Sequence, residues 1–169
     1  MSDPAPDPMV DESDFLAVMA EVCTPVTVVT SLDDALPYGT TVSAFASLSL
    51  RPPMVLVALE RSSTLLAKLR RTRRFGVNIL GSNQDAVARR FASKGIDKFH
   101  GIAWTESDGL PRLRDATGWI ACRVQSFFEG GDHMLVTGVV ERAVATPGAP
   151  LAYHRRTFGT HSEIAVSPR

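Results

Sequence analysis

Small neutral hydroxyls dominate one stretch of the sequence, TTVSAFASLSL at residues 40–50. Read as one extended strand, its side chains alternate between two faces. One face carries apolar residues typical of a core: Val42, Ala44, Ala46, Leu48 and Leu50. The other face carries mostly hydroxyls: Thr41, Ser43, Phe45, Ser47 and Ser49. No charged side chain occurs from Ala35 to Leu50, so this face would suit a flat, neutral ligand with polar edges. The alternative is that another part of the protein, or a second subunit, covers it.

Two further motifs carry groups that can bind a ligand. Ser62, Ser63 and Thr64 lie where a helix is predicted to begin, so their hydroxyls and the free backbone N–H groups would form an anion site. Plain N-capping by Ser62 is the alternative interpretation. His133, in GGDH, begins a predicted strand after a tight turn and would be a donor at the rim of a pocket in either protonation state. An exposed or turn-stabilising histidine is the alternative there.

The composition indicates one ordinary globular domain. The chain has 169 residues, of which 44% are hydrophobic. Lys+Arg and Asp+Glu number 18 each, and this zero net charge argues against a nucleic-acid or anionic-membrane binder, which needs a basic excess.

The cysteines and the N-terminal segment predict a cytoplasmic protein. Cys23 and Cys122 form no CxxC pair, which indicates two free thiols in a reducing compartment and no metal motif. The start, MSDPAPDPMVDESD, is acidic and proline-rich, unlike a signal peptide. No apolar run approaches the length of a membrane span.

The elements that would position these motifs are short strands with small helices between them. Apolar spacing predicts a helix over ESDFLAVMAEVC, capped by Asp11 or Ser13, and two more at residues 62–72 and 83–92. Strands are predicted at 26–30, 40–50, 54–59, 75–80, 119–128 and 133–144, with a turn or loop at 31–40 and a short terminal element at 151–158. The last two strands flank EGGD and predict a hairpin.

This element order favours a mainly β fold: a small antiparallel barrel with peripheral helices. We expect a domain over residues 12–160 between tails at 1–11 and 161–169. No GxGxxG follows a strand and no GxxxxGK[ST] occurs, which excludes Rossmann and P-loop folds.

The sequence resembles the short-chain flavin reductases, the NAD(P)H-dependent partners of two-component flavin monooxygenases. The resemblance rests on PVTVVTS, YGTTVSAFASLSLRPPMVLVALERSST, FGVNILGSNQDAVARRFAS, GGDHMLVTGVV and PLAYHRRTF, in that order. It implies an FMN-binding split β-barrel, antiparallel and Greek-key-like, that is usually a homodimer. It also implies hydride transfer from NADH or NADPH to FMN or FAD, and release of the reduced flavin to a partner monooxygenase.

By the same resemblance, site residues can be assigned. The hydroxyl-rich strand would cradle the flavin through Thr40, Thr41, Val42, Ser43, Ala44, Ser47, Leu48 and Ser49. The ribityl phosphate would lie near Ser62, Ser63 and Thr64, the nicotinamide by His133, and the flavin or nucleotide near Phe91, Tyr153 and Arg155. No metal is expected. Pro25 stands where many relatives have glycine, and its effect would be local.

Three other functions remain open on the sequence alone. A non-catalytic flavin carrier would bind flavin but oxidise no nicotinamide. An enzyme like pyridoxamine-phosphate oxidase would need a basic phosphate cluster from several strands, which the sequence does not clearly show. A dimeric structural module would bury the hydroxyl face at its interface. The choices of FMN or FAD, and of NADH or NADPH, stay open.

Overall fold

The computed structural model describes residues 10–95 and 97–164, and this part of the chain is mainly β. Its helices are α1 (Glu12–Ala20), α2 (Thr64–Thr72) and α3 (Asp85–Ala92). Its strands are β1 (Thr24–Pro25), β2 (Thr27–Asp33), β3 (Leu36–Val42), β4 (Phe45–Leu50), β5 (Pro53–Glu60), β6 (Arg74–Ile79), β7 (Trp104–Ser107), β8 (Leu110–Leu113), β9 (Gly118–Gly130), β10 (His133–Ala145), β11 (Leu151–His154) and β12 (Thr157–Thr160). Residues 1–9 and 165–169 of the two predicted tails lie outside the described residues.

The central sheet has seven antiparallel strands in the order β3-β2-β6-β9-β10-β5-β4. Smaller sheets, β1-β11-β12 and β7-β8, pack beside it. The predicted strand-rich antiparallel fold with peripheral helices is therefore confirmed, including the hairpin of β9 and β10.

Two residues, Ser43 and Ala44, join the opposite edges of the seven-stranded sheet, since β3 and β4 are its two edge strands. In a flat sheet these edges would lie about 29 Å apart at ~4.8 Å per strand. The link from Val42 to Phe45 reaches at most about 11 Å. The sheet must therefore curl into a barrel, and because β3 and β4 do not pair, the barrel stays split.

The prediction of one strand over residues 40–50 is wrong. The stretch forms the end of β3 and all of β4, and no proline or glycine in the sequence marks the break between them. The expected core face fails with it: Val42 is buried, whereas Leu48 is 49% and Leu50 is 83% exposed. The reason is that β4 is an edge strand that pairs with β5 alone.

The prediction of a turn or loop over residues 31–40 is right only for the turn at Asp34 and Ala35, because the other residues extend β2 and β3 into a hairpin. Asp34 and Ala35 both have positive φ, 50° and 63°, as a two-residue hairpin turn of type I′ requires. Pro37 is tolerated inside β3 because an edge strand has backbone N–H groups without a strand partner. Gly39 is required by packing, since a Cβ there would lie 2.8 Å from Cε1 of Phe91.

The helix termini follow local side-chain chemistry. Asp11 caps α1 as predicted, and its carboxylate accepts a hydrogen bond from the backbone N of Ser13 at 2.8 Å. Ser63, and not Ser62, caps α2 by accepting from the backbone N of Leu66 at 3.4 Å. The alternative of capping by Ser62 is therefore wrong by one residue.

The two internal helices cover different parts of the barrel. The inward leucines of α2, predicted from their spacing, are buried: Leu65, Leu66 and Leu69. They pack in one cluster with Phe75 and Val136 of the sheet. Phe91 of α3 is the centre of a second cluster with Val28, Leu80 and Phe99. By contrast, no residue of α1 is buried.

The contact between Gly39 and Phe91 makes a stability prediction. Gly39→Ala should lower the free energy of unfolding by about 1–3 kcal/mol, because the added methyl overlaps a ring that neighbouring side chains hold in place. In a Phe91→Leu background the same change should be milder. Urea unfolding of the four chains measures both effects.

Gly159→Ala is the matched control, since nothing lies within 4 Å of a Cβ built at Gly159 of β12. Its effect should stay within about 0.5 kcal/mol. If Gly39→Ala lowers the free energy of unfolding equally in the unmodified and the Phe91→Leu backgrounds, the ring of Phe91 is not the obstacle.

Candidate functional site

A cleft of about 1050 Å³ opens between β3 and the segment that follows α3. Residues 36–44 form one wall, and residues 92–95 and 97–100 form the other. The last residues of β5 and the first residues of α2 and β10 also line it. A volume of this size is typical of sites for cofactor-sized ligands.

The cleft brings together three motifs that are far apart in the sequence. Nine of the predicted site residues line it: Thr40, Thr41, Val42, Ser43, Ala44, Ser62, Ser63, Thr64 and His133. The register of the sheet explains the meeting, because His133 at the start of β10 pairs with Glu60 at the end of β5. Ser62 follows Glu60 by two residues.

The threonine hydroxyls on β3 hold the wall in place. Oγ1 of Thr41 donates to the backbone O of Ala88 at 2.6 Å, and Oγ1 of Thr40 to that of Phe91 at 3.4 Å. Part of the hydroxyl row is thus covered by α3, as one of the two interpretations of the sequence allowed. Each oxygen keeps lone pairs that can accept a bond from a ligand.

The start of α2 combines N–H donors with a nearby carboxylate. Oγ of Ser63 accepts a hydrogen bond from the backbone N–H of Leu66. The N–H groups before Leu66, in the first turn of the helix, have no partner within the helix. Oγ of Ser62 lies 3.5 Å from Oε2 of Glu60, and Nζ of Lys94 lies 3.6 Å from the same oxygen. The dipole at this end favours an anion, whereas Glu60 opposes one.

His133 is held by the turn that precedes it. Its Nδ1 lies 2.7 Å from Oδ1 of Asp132, and this hydrogen bond lowers the pKa of the Asp132 carboxyl. Arg61 fixes the turn, because its Nε donates to the backbone O of Gly131 at 2.8 Å and its backbone N to that of Asp132 at 3.0 Å. With Asp132 accepting from Nδ1, the neutral ring presents Nε2 as an acceptor.

The other predicted site residues lie outside this cleft. Ser47, Leu48 and Ser49 belong to the outer edge strand β4. Tyr153 and Arg155 belong to the β11–β12 hairpin, where Arg155 forms an ion pair with Glu21 at 2.7 Å.

Phe91 lies behind the wall of the cleft. It is completely buried, and its ring contacts the ring of Phe99 edge-on at a centroid distance of 4.9 Å. Phe99 and Gly39, which both contact it, line the cleft themselves. Phe91 therefore shapes the site through these neighbours.

Sequence reasoning missed the wall formed by the segment after α3. Lys94, Lys98, Phe99 and His100 line the cleft, although the sequence predicts no element and no site for them. The sequence did contain a signal for this wall: the motif SKGIDKFH places two lysines and a histidine within a span of seven residues. Whether these side chains face the cleft depends on how the segment folds back over β3, and no local sequence pattern predicts that fold.

Tyr38 was also missed. It lines the cleft from β3, and Nζ of Lys68 lies 4.4 Å above the centre of its ring. Hydrogen bonds with Asp33 first and Tyr38 second raise the pKa of Lys68. The contact orients the ring at the rim, since a cation over an aromatic face is attractive.

The described residues contain neither a metal cluster nor a membrane-spanning helix. Across residues 10–95 and 97–164, no group of three His, Cys, Asp or Glu side chains is arranged to hold a metal ion. Within the same ranges, every helix is too short or too polar to cross a membrane.

Comparison with known proteins gives a consistent family. The chain matches the flavin reductase like domain over residues 19–162. It is 39% identical to the reductase component of a 4-nitrophenol 4-monooxygenase/4-nitrocatechol 2-monooxygenase from Rhodococcus opacus, over 94% of this chain and 92% of that protein. It is 40% identical to an NADH:riboflavin 5'-phosphate oxidoreductase from Streptomyces pristinaespiralis, over 94% and 92%.

A solved structure supports the same assignment. A nitrilotriacetate monooxygenase component B homolog from Mycobacterium thermoresistibile superposes with a TM-score of 0.88 at 34% identity, covering 94% of this chain and 93% of that one. The predicted resemblance and the predicted oxidoreductase class are confirmed. The chain belongs to the flavin reductase-like domain family.

Proposed function

We propose that this protein is an NAD(P)H:flavin oxidoreductase that reduces FMN or FAD with NADH or NADPH and supplies the reduced flavin to a partner monooxygenase. The observation that carries the proposal is the cleft, which unites the uncharged β3 wall, the start of α2 and His133. The names of the relatives point to the same reaction and to the same kind of partner.

The residues present fit a flavin. The β3 wall contains no charged side chain from Ala35 to Ala44, and β3 is an edge strand whose outer backbone N–H and C=O groups have no strand partner. Such a row can bind the polar edge of a flat ring. The cleft volume of about 1050 Å³ lies at the upper end of the range for cofactor-sized ligands.

The chain's own residues would bind and orient the reactants. A bound flavin supplies the hydride acceptor and a reduced nicotinamide the donor, so no side chain has to act as an acid for the hydride itself. The β3 wall would hold the ring, the hydroxyls of Ser62, Ser63 and Thr64 its polar chain, and His133 the carboxamide of the nicotinamide. Holding the two rings together is the protein's main contribution to the rate.

The thiols support a reducing compartment, and we place the protein in the cytoplasm. Cys23 and Cys122 are both free, and Cys23 is exposed. Burial raises the pKa of the Cys122 thiol to about 12, which keeps it protonated and inert. The described elements, from Glu12 to Thr160, would make up the single flavin-binding domain.

We also propose that the protein works as a homodimer. Helix α1 exposes four large apolar side chains: Phe15, Leu16, Val18 and Met19. The edge strand β4 likewise exposes Leu48 and Leu50. A second copy would cover such apolar surface. It is also the arrangement in which Ser47, Ser49, Tyr153 and Arg155 could approach a cleft.

The reaction is tested by following nicotinamide oxidation with and without added FMN or FAD. We expect turnover only when flavin is present, and the relative rates rank both flavins and both nicotinamides. A flavin spectrum that shifts on binding without turnover would favour the non-catalytic carrier. An absence of both signals would refute a flavin site in this cleft.

The role of His133 is tested by His133→Ala. Loss of one hydrogen bond to the nicotinamide should raise its KM about 10-fold. The Kd for flavin should change less than about 2-fold. His154→Ala is the control, since His154 is exposed on β11 outside the cleft. Equal effects of His133→Ala on both ligands, or none on either, would exclude the proposed role.

The dimer is tested by Val18→Glu. Val18 is 67% exposed on α1, so the change should leave the fold of one chain intact but place a charge in the proposed interface. Sedimentation equilibrium should show a dimer for the unmodified chain and a monomer, or a dimer at least about 10-fold weaker, for the variant. A monomeric unmodified chain would contradict the proposal.

A further inference from the structure

Lys98 places a positive charge on the wall of the cleft without a carboxylate partner in the described ranges. The other two lysines of the chain form salt bridges, Lys68 with Asp33 at 3.2 Å and Lys94 with Glu60 at 3.6 Å. No salt bridge among residues 10–95 and 97–164 includes Lys98, although its side chain lines the cleft. A partly buried charge of this kind is unfavourable unless something compensates it.

Backbone carbonyls compensate Lys98 only in part. Its Nζ donates to the backbone O of Phe91 at 2.8 Å and to that of Gly39 at 3.3 Å. Phe91 lies in the last turn of α3, so the ammonium also offsets the negative end of the helix dipole. An ammonium has three N–H groups, and these two bonds leave the third for another acceptor.

The surroundings of Lys98 favour an anion in the cleft. Burial, and then the like charge of Lys94, lower the pKa of the Lys98 ammonium. The attraction of a negative group beside the ammonium would offset both effects. The start of α2 also offers N–H groups to the cleft, but Glu60 lies there and would repel a phosphate. Lys98 is therefore the better placed of the two.

We propose that Nζ of Lys98 binds a phosphate group of a nucleotide in the cleft. The inference rests on the proposed function, which brings two phosphate-bearing ligands there, the flavin and the nicotinamide. It makes Lys98 the residue through which the site distinguishes these nucleotides from analogues that lack phosphate. The site predicted from the sequence as hydroxyls alone would then contain one essential cation.

The test is Lys98→Gln with paired ligands. FMN differs from riboflavin by its phosphate. NADH differs from N-benzyl-dihydronicotinamide by its phosphate-bearing nucleotide part, which the analogue replaces with a benzyl group. If the flavin phosphate binds Lys98, the Kd for FMN should rise about 10-fold to 100-fold, as for loss of a charged hydrogen bond, with riboflavin changed less than about 2-fold. If the phosphate is that of the nicotinamide, the KM for NADH should rise while that for the benzyl analogue does not.

Lys94→Gln is the matched control, because it makes the same change of charge on the same wall at a lysine that already faces Glu60. An equal loss in both variants would show that only the net charge matters and would overturn the inference. Equal weakening of FMN and riboflavin, or of both hydride donors, by Lys98→Gln would assign Lys98 a structural role and also overturn it.

Two measurements keep the inference testable if Lys98→Gln does not fold. Lys98→Arg retains the cation and should keep the preference for phosphate-bearing ligands; loss of the preference would contradict the proposal. In the unmodified chain, added NaCl should weaken the phosphate-bearing member of at least one ligand pair more than its analogue, and equal salt dependence within both pairs would contradict the proposal. If the unmodified chain reduces flavins normally but Lys98→Gln keeps the preference both for FMN over riboflavin and for NADH over the benzyl analogue, this inference fails and the reductase assignment stands.

Discussion

Ser43 and Ala44 carry the chain from one edge of a seven-stranded sheet to the other, and this short reach governs the structure around them. Since the link reaches only about 11 Å, the sheet has to curl until its edges approach. The backbone N of Ala58 donates to the O of Ala44 at 3.0 Å and fixes the link to β5. The edges do not pair, so the outer backbone groups of β3 have no strand partner, and the cleft lies along them.

The cleft combines a neutral surface with a few charges that are held individually. Asp132 binds His133, Glu60 faces Lys94, and backbone carbonyls hold Lys98. A flat ring can lie against the neutral β3 wall with little loss of solvation, whereas the charges come from the other segments that line the cleft. This division suits a nucleotide, which has an uncharged ring at one end and phosphate at the other.

Local patterns predicted the elements that depend on local physics. The apolar run of β5, the leucine spacing of α2 and the β9–β10 hairpin all followed from sequence, and so did the three motifs that meet in the cleft. The break at Ser43 was not predictable, because it is set by closure of the sheet and not by a turn residue. Lys98 was missed for a similar reason: its partners, Gly39 and Phe91, come from other elements.

The central claim is that flavin binds in the cleft beside β3, and hydrogen–deuterium exchange with and without FMN tests it most directly. We expect FMN to slow exchange of the backbone amides in residues 36–44, 60–65, 92–95 and 97–100, the segments that line the cleft. Residues 104–113, which form the separate β7–β8 hairpin, should exchange at the same rate in both samples. Protection confined to segments outside the cleft, or none at a saturating FMN concentration, would contradict the account.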